Sequence, residues 1–109
     1  MARDGLGELE HQVMLALLRL ESDAYTAPIV VELEERTGRP TTVSAVYIVL
    51  RRLEKKGLVV SEMVGPGEEG GRDRRHFSVT EEGRQRLLEA RRAYARLWEG
   101  LGDVLPVDA

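Results

Sequence analysis

The sequence predicts a mainly α fold with a small β-hairpin and a long closing helix. Three observations predict it. Apolar residues recur at helical spacing in three segments before Gly57. Two β-branched runs then flank a glycine-rich stretch, the pattern of a hairpin. Beyond Glu81 an apolar seam returns with alternating spacings of three and four.

The first helix, Glu8 to Leu20, places Leu9, Val13, Leu17 and Leu20 on one stripe, widened by Met14, Leu15 and Leu18. A stripe that wide implies burial on two sides, against the helix's own core and against a partner. Ser22 to Tyr25 breaks the pattern. Pro28 fits the first turn of a second helix, where its missing N–H costs nothing. That helix turns Ile29, Val30 and Leu33 inward and Glu32, Glu34, Glu35 and Arg36 outward, and it stops at Gly38, with Pro40 just beyond.

Thr42 to Gly57 reads as a third helix with two chemically different faces. Thr42 caps its start by accepting the Ala45 N–H, and Gly57 closes its end in the left-handed conformation. Val43, Val46, Val49, Leu50 and Leu53 fall on one side, and Ser44, Ile48, Arg51, Arg52 and Lys55 on the other. A buried stripe opposite a cationic one lets a helix sit on a core while lying in the major groove of duplex DNA. Helices two and three, joined by a short connection, form a helix-turn-helix unit.

Leu58 to Val64 and Arg75 to Val79 read as strands, and Gly65 to Arg74, with four glycines and a proline, as the hairpin tip between them. A hairpin directly after a recognition-type helix is a wing. Thr80, followed by Glu81 and Glu82, starts a last helix that runs to about Leu101. Its seam is Leu87, Ala90, Tyr94, Leu97, Leu101 and Val104, with Leu88 and Trp98 beside it. A short three-helix body offers this helix little to pack on, so the sequence predicts a homodimer. The expected architecture is a winged helix-turn-helix DNA-binding domain over residues 1–80 and a C-terminal dimerisation helix over 81–109.

With 109 residues, 42% of them hydrophobic, the chain is long enough for one small core that association would reinforce. The absence of cysteine excludes disulfides and thiolate metal sites. The sequence shows no apolar run long enough for a membrane span and no signal-peptide core, which predicts a cytoplasmic protein. The net charge of −3 hides an asymmetry: −6 over residues 1–35, +5 over 36–92 and −2 over 93–109. Local field governs phosphate binding, so a basic middle is compatible with DNA. No catalytic set emerges, since there is no cysteine nucleophile, no Gly-x-Ser-x-Gly elbow and no phosphate loop.

The segments LGELEHQVMLALLRL, DAYTAPIVVELEERTGRP, SAVYIVLRRLEKKGLV and GGRDRRHFSVTEEGRQRL carry a more specific pattern. AVYxxLxRLExKGLV followed by GGRxxRxFxxTxxG resembles the PadR-like winged-helix transcriptional regulators, particularly small members with a single C-terminal helix. The resemblance covers roughly residues 6 to 88. It implies a dimeric DNA-binding regulator, usually a repressor, often sensing a small molecule near the dimer interface. Two positions depart from the pattern. Thr26 stands where members often have glycine, and its hydroxyl is expected to cap the second helix. Ile48 stands where many have proline, and is placed to meet a thymine methyl.

The expected DNA contacts are Thr42, Ser44, Tyr47, Ile48, Arg51, Arg52 and Lys55 on the third helix and Arg72, Arg74 and Arg75 on the wing. Arg51 has the planar fork that bidentate guanine contact needs, and Lys55 and Lys56 are placed to meet phosphate or offset the helix dipole. For Tyr47 the resemblance implies a hydroxyl bonded to a backbone phosphate. Leu9, Val13, Leu87, Tyr94, Leu97, Trp98 and Leu101 are the expected dimer contacts, with Trp98 also a stacking surface for a planar effector. His11 and His76 lack companion ligands, so no metal or other cofactor is expected. The expected partners are a palindromic duplex operator, a second copy of the chain and a small-molecule effector. The rival reading is a winged-helix module that binds protein and never DNA.

Overall fold

In the computed structural model, which describes residues 5–65 and 73–106, the order is α1 (Glu8–Leu20), a 3-10 turn (Glu21–Asp23), α2 (Thr26–Thr37), α3 (Val43–Lys55), β1 (Val59–Val64), β2 (Arg74–Val79) and α4 (Glu81–Trp98). The mainly helical architecture with one antiparallel hairpin is the one the sequence predicts.

The first turn of α1 is built around a buried carboxylate. Gly7 donates its N–H to Glu10 Oε1 at 2.8 Å, and Lys56 Nζ, just past α3, donates to Glu10 Oε2 at 2.9 Å. Burial alone would raise the Glu10 pKa. The Lys56 hydrogen bond, the Gly7 N–H and the positive charges of Lys56 and Arg52 outweigh it and hold the carboxyl below its ordinary range. A lowered folded-state pKa adds stability that is fully present above the ordinary carboxylate range, about pH 4.3 for glutamate, and is lost as pH falls through the folded value. Glu10→Gln is therefore expected to cost about 1–3 kcal/mol at pH 7. Urea titrations of both proteins should converge as the pH is lowered toward 3, and a gap that stays constant with pH would contradict this assignment.

The wide stripe of α1 divides in two. Val13, Met14, Ala16 and Leu17 are buried in the core, whereas Leu15 and Leu18 stay exposed on another side. α2 starts with Tyr25 as its cap residue and no side-chain cap bond, so Thr26 does not cap it as expected but forms its first helical residue. Gly38, at φ +73°, ends α2 with its N–H on Glu34 O at 2.9 Å.

In α3 the Thr42 hydroxyl accepts the Ala45 N–H at 3.0 Å. At the other end Gly57, at φ +79°, lets Leu58 N–H reach back to Leu53 O at 3.0 Å. Val46, Val49, Leu50 and Leu53 are buried. Val43 is not: it is 52% exposed, because the first turn of α3 extends past the core that its wheel position faces.

The hairpin pairs Val59 with Val79, Ser61 with Phe77, Met63 with Arg75 and Val64 with Arg74. Strand alternation puts Val59, Ser61, Arg75, Phe77 and Val79 on the inner face and Glu62, Arg74, His76 and Ser78 on the outer one. Phe77 and Val59 are buried, and the Phe77 N–H donates to Ala24 O at 2.8 Å, tying the wing to the connection after α1.

α4 is anchored at its beginning. Thr80 Oγ1 accepts the Gly83 N–H at 3.0 Å and donates to Gly57 O at 2.8 Å, and among the described residues of α4 only Gly83 and Leu87 are buried. The helix ends at Trp98, followed by Gly100 at φ +81°, so Leu101 and Val104 lie outside it and the expected seam stops at Leu97. The radius of gyration, 16.0 Å, exceeds the roughly 13 Å of a compact chain this long.

Candidate nucleic-acid interface

Ser44, Tyr47, Ile48, Arg51, Arg52 and Lys55 all emerge on the solvent side of α3, with Ile48 58% exposed. Buried Val46, Val49, Leu50 and Leu53 fix that side outward, because rotating the helix would pull them from the core. Thr42 stands exposed at the N-terminus, where its hydroxyl proton remains available after the oxygen has capped Ala45. Arg52 and Lys55 make no ion pair among the described residues. Lys56 is different: bound to Glu10, it braces α3 against α1 rather than standing ready for phosphate.

Arg51 is joined to the wing. Its Nη1 donates to Glu54 Oε1 at 2.9 Å, Ser61 Oγ donates to Glu54 Oε2 at 2.5 Å, and Arg75 Nη1 donates to Ser61 Oγ at 3.0 Å. Arg74 points to the opposite face of the hairpin. Its guanidinium lies 4.4 Å from the Tyr25 ring centroid and donates to the Tyr25 hydroxyl at 2.9 Å, while His76 stacks on the same ring at 5.4 Å. Of the three wing arginines expected to meet DNA, Arg75 stands beside the recognition helix and Arg74 is held on the α1–α2 connection. Arg72 lies outside the described residues.

Sequence reasoning missed Glu54, Ser61 and Tyr25. Glu54 was within reach of it, since positions three apart on a helix are neighbours. Ser61 and Tyr25 acquire their partners only through strand register and long-range packing.

The expected dimer contacts also sort by burial. Val13 is fully buried in its own core, Leu87 nearly so, and Leu9 packs partly against that core, so Val13 and Leu87 offer little to a second copy. An apolar groove of about 630 Å³ lies open between α1 and α4, floored by Leu15, Leu18, Leu87 and Leu88 and edged by His11, Arg84, Arg91 and Tyr94. Leu97, 71% exposed, and Trp98 continue α4 beyond it. Trp98, expected to stack a planar effector, does not line this groove.

The model of the Transcriptional regulator PadR-like family matches residues 14–89. The chain belongs to that family. Solved PadR-like structures share its fold. A family member from Eggerthella lenta DSM 2243 is 29% identical over 90% of this chain and 87% of its own, with a TM-score of 0.63. A PadR-like transcription factor from Bacteroides fragilis is 24% identical over 89% of both chains at a TM-score of 0.69. A PadR family regulator from Clostridium difficile R20291 reaches 0.72 at 21% identity, over 90% of this chain and 98% of its own. No curated protein matches the chain in sequence. The PadR-like segment contains α2, α3, the hairpin and the anchored start of α4, but stops before Tyr94, Leu97 and Trp98. PadR-like regulators are not enzymes, in line with the missing catalytic set. No described helix is long and apolar enough to cross a membrane.

Proposed function

We propose that the chain is a homodimeric repressor that binds a palindromic duplex operator with α3 in the major groove and the hairpin as its wing. The observation that carries this reading is the outward face of α3. A residue as apolar as Ile48 stands 58% exposed among Ser44, Arg51, Arg52 and Lys55, on a helix whose other face is locked into the core. That combination suits a groove offering both thymine methyls and guanine acceptors. Tyr47, 42% exposed at the edge of the same face, is placed to bond phosphate through its hydroxyl.

The dimer reading rests on the open groove between α1 and α4 and on the exposed end of α4, a larger apolar surface than a helix this polar needs when alone. Pairing through it would set two recognition helices on one face of the duplex, about 34 Å apart for half-sites one turn apart. A dimer seated there over a promoter would exclude polymerase.

The test is selection of bound sequences from random duplexes, followed by binding at several salt concentrations. Arg51→Ala should weaken the selected site by about 1–3 kcal/mol and change random duplex far less. Equal losses on both would remove Arg51 from base reading. No retardation of any duplex at low salt would turn the function toward the protein-binding alternative.

A further inference from the structure

Glu54 is the one acidic residue of α3, on a helix that carries Arg51, Arg52 and Lys55 and faces Arg75 of the wing through Ser61. A carboxylate there should repel a polyanion, yet this one is built in. Its side chain is 28% exposed, and its two oxygens are used separately, Oε1 by Arg51 and Oε2 by Ser61. A serine hydroxyl has one proton. With that proton committed to Glu54, the Ser61 oxygen is left to accept, and it accepts Arg75 Nη1–H. The hydrogen bonds therefore converge on Glu54, from α3 by one route and from β2 by way of β1 on the other.

We propose that Glu54 is a positioning residue for operator recognition, whose carboxylate makes Arg51 of the recognition helix and Arg75 of the wing engage DNA as one unit. The proposal rests on the DNA-binding reading above. A guanidinium has five N–H groups, and bidentate contact with guanine uses two. Arg51 gives one to Glu54 and keeps enough for a base. Held at one corner, its planar fork has less rotamer freedom to lose on binding. Arg75 is restrained in the same way through Ser61, so a shift of the wing is transmitted to the group that reads the base.

This arrangement predicts a loss on the selected operator with no loss on random duplex, which simple charge removal cannot produce. Glu54→Gln should leave affinity for random duplex unchanged or up to about threefold tighter, because one negative charge near phosphates is gone. Affinity for the selected operator should fall about tenfold, because a neutral amide offers one acceptor oxygen where Arg51 and Ser61 use two, and the charge that holds Arg51 is gone. Ser61→Ala keeps the Arg51–Glu54 pair, and should weaken the operator by about threefold and random duplex hardly at all.

A double-mutant cycle on Arg51→Ala and Arg75→Ala gives a measure that needs no substitution at Glu54. The two losses on the operator should be non-additive in the wild-type background and additive in the Ser61→Ala background. Additive losses in the wild type would overturn the proposal, as would Glu54→Gln tightening both duplexes equally. A wild-type protein that binds all duplexes alike would remove the DNA reading itself and this proposal with it, an outcome distinct from the other two.

Discussion

Gly83→Ala is expected to lower the melting temperature on the order of 10–20 °C. In most helices the same change stabilises by about 1 kcal/mol, because alanine is the better helix former. Here the sign reverses. A Cβ at Gly83 would stand 2.2 Å from Leu58 O, 2.7 Å from Val79 Cγ1 and 3.1 Å from Met14 Cε. The methyls could turn aside, but the carbonyl is fixed, since Leu58 O accepts the Thr80 N–H at 3.0 Å. Relief would have to come from moving α4 off the hairpin base, losing the Thr80 cap and the burial of Leu87 together. Overpacking of this kind costs about 3 kcal/mol, the upper end of its usual range, and for a domain this small each kcal/mol is worth about 4–8 °C. Thermal melts at equal protein concentration would check it, and a shift within about 2 °C would show that α4 is not seated as described. The threonine and glycine of the TxxG pattern thus have separate duties, Thr80 as a cap shared between two elements and Gly83 as the point of closest approach.

Leu15→Glu combined with Leu88→Glu is expected to yield a folded monomer that has lost most of its operator affinity. Both side chains are already exposed in a single copy, 45% and 42%, so the substitutions remove little from the core. In the proposed dimer they would bury carboxylates in the α1–α4 groove, which a second copy could cover only by leaving charge unpaired. Sedimentation should give half the wild-type mass with an unchanged far-ultraviolet spectrum. A monomer binds one half-site without the effective concentration its linked twin supplies, so operator affinity should fall by about 10²–10⁴-fold. A double variant that remains dimeric would place the interface elsewhere, with the Leu97 and Trp98 end of α4 as the next surface to alter.

Much of the fold was legible because each boundary has its own chemical signal. Thr42, Gly57, Thr80 and Gly38 mark helix ends through caps and left-handed turns that depend only on neighbouring residues, and each forms where the sequence places it. The end of α4 was misplaced for a related reason. The 3-4 seam was followed through Gly100, although a glycine there was itself a stop signal.

Local spacing could not say which side of the wide α1 stripe its own core would take. Val13 and Leu15 look alike in sequence, and only packing against α2, α3 and the hairpin buries the first and exposes the second. Side-chain partners were hardest to read. Arg74 finds Tyr25 across 49 positions, and Lys56 finds Glu10 across 46. Neither separation leaves a trace in periodicity. The outward residues of α3 were readable for the opposite reason, since a helix held by four apolar contacts has one way to face.

The placement of Trp98 gives the chain an uncommon optical property. Its single tryptophan sits half exposed at the far end of α4, while the core contains none. Indole emission is therefore blind to whether α1, α2 and α3 are folded and responsive to whatever covers the far end of α4. In the proposed dimer, fluorescence and far-ultraviolet dichroism are expected to report different equilibria, association in the first and secondary structure in the second. A lack of coincidence between the two curves would be the signature of a chain that separates before it unfolds.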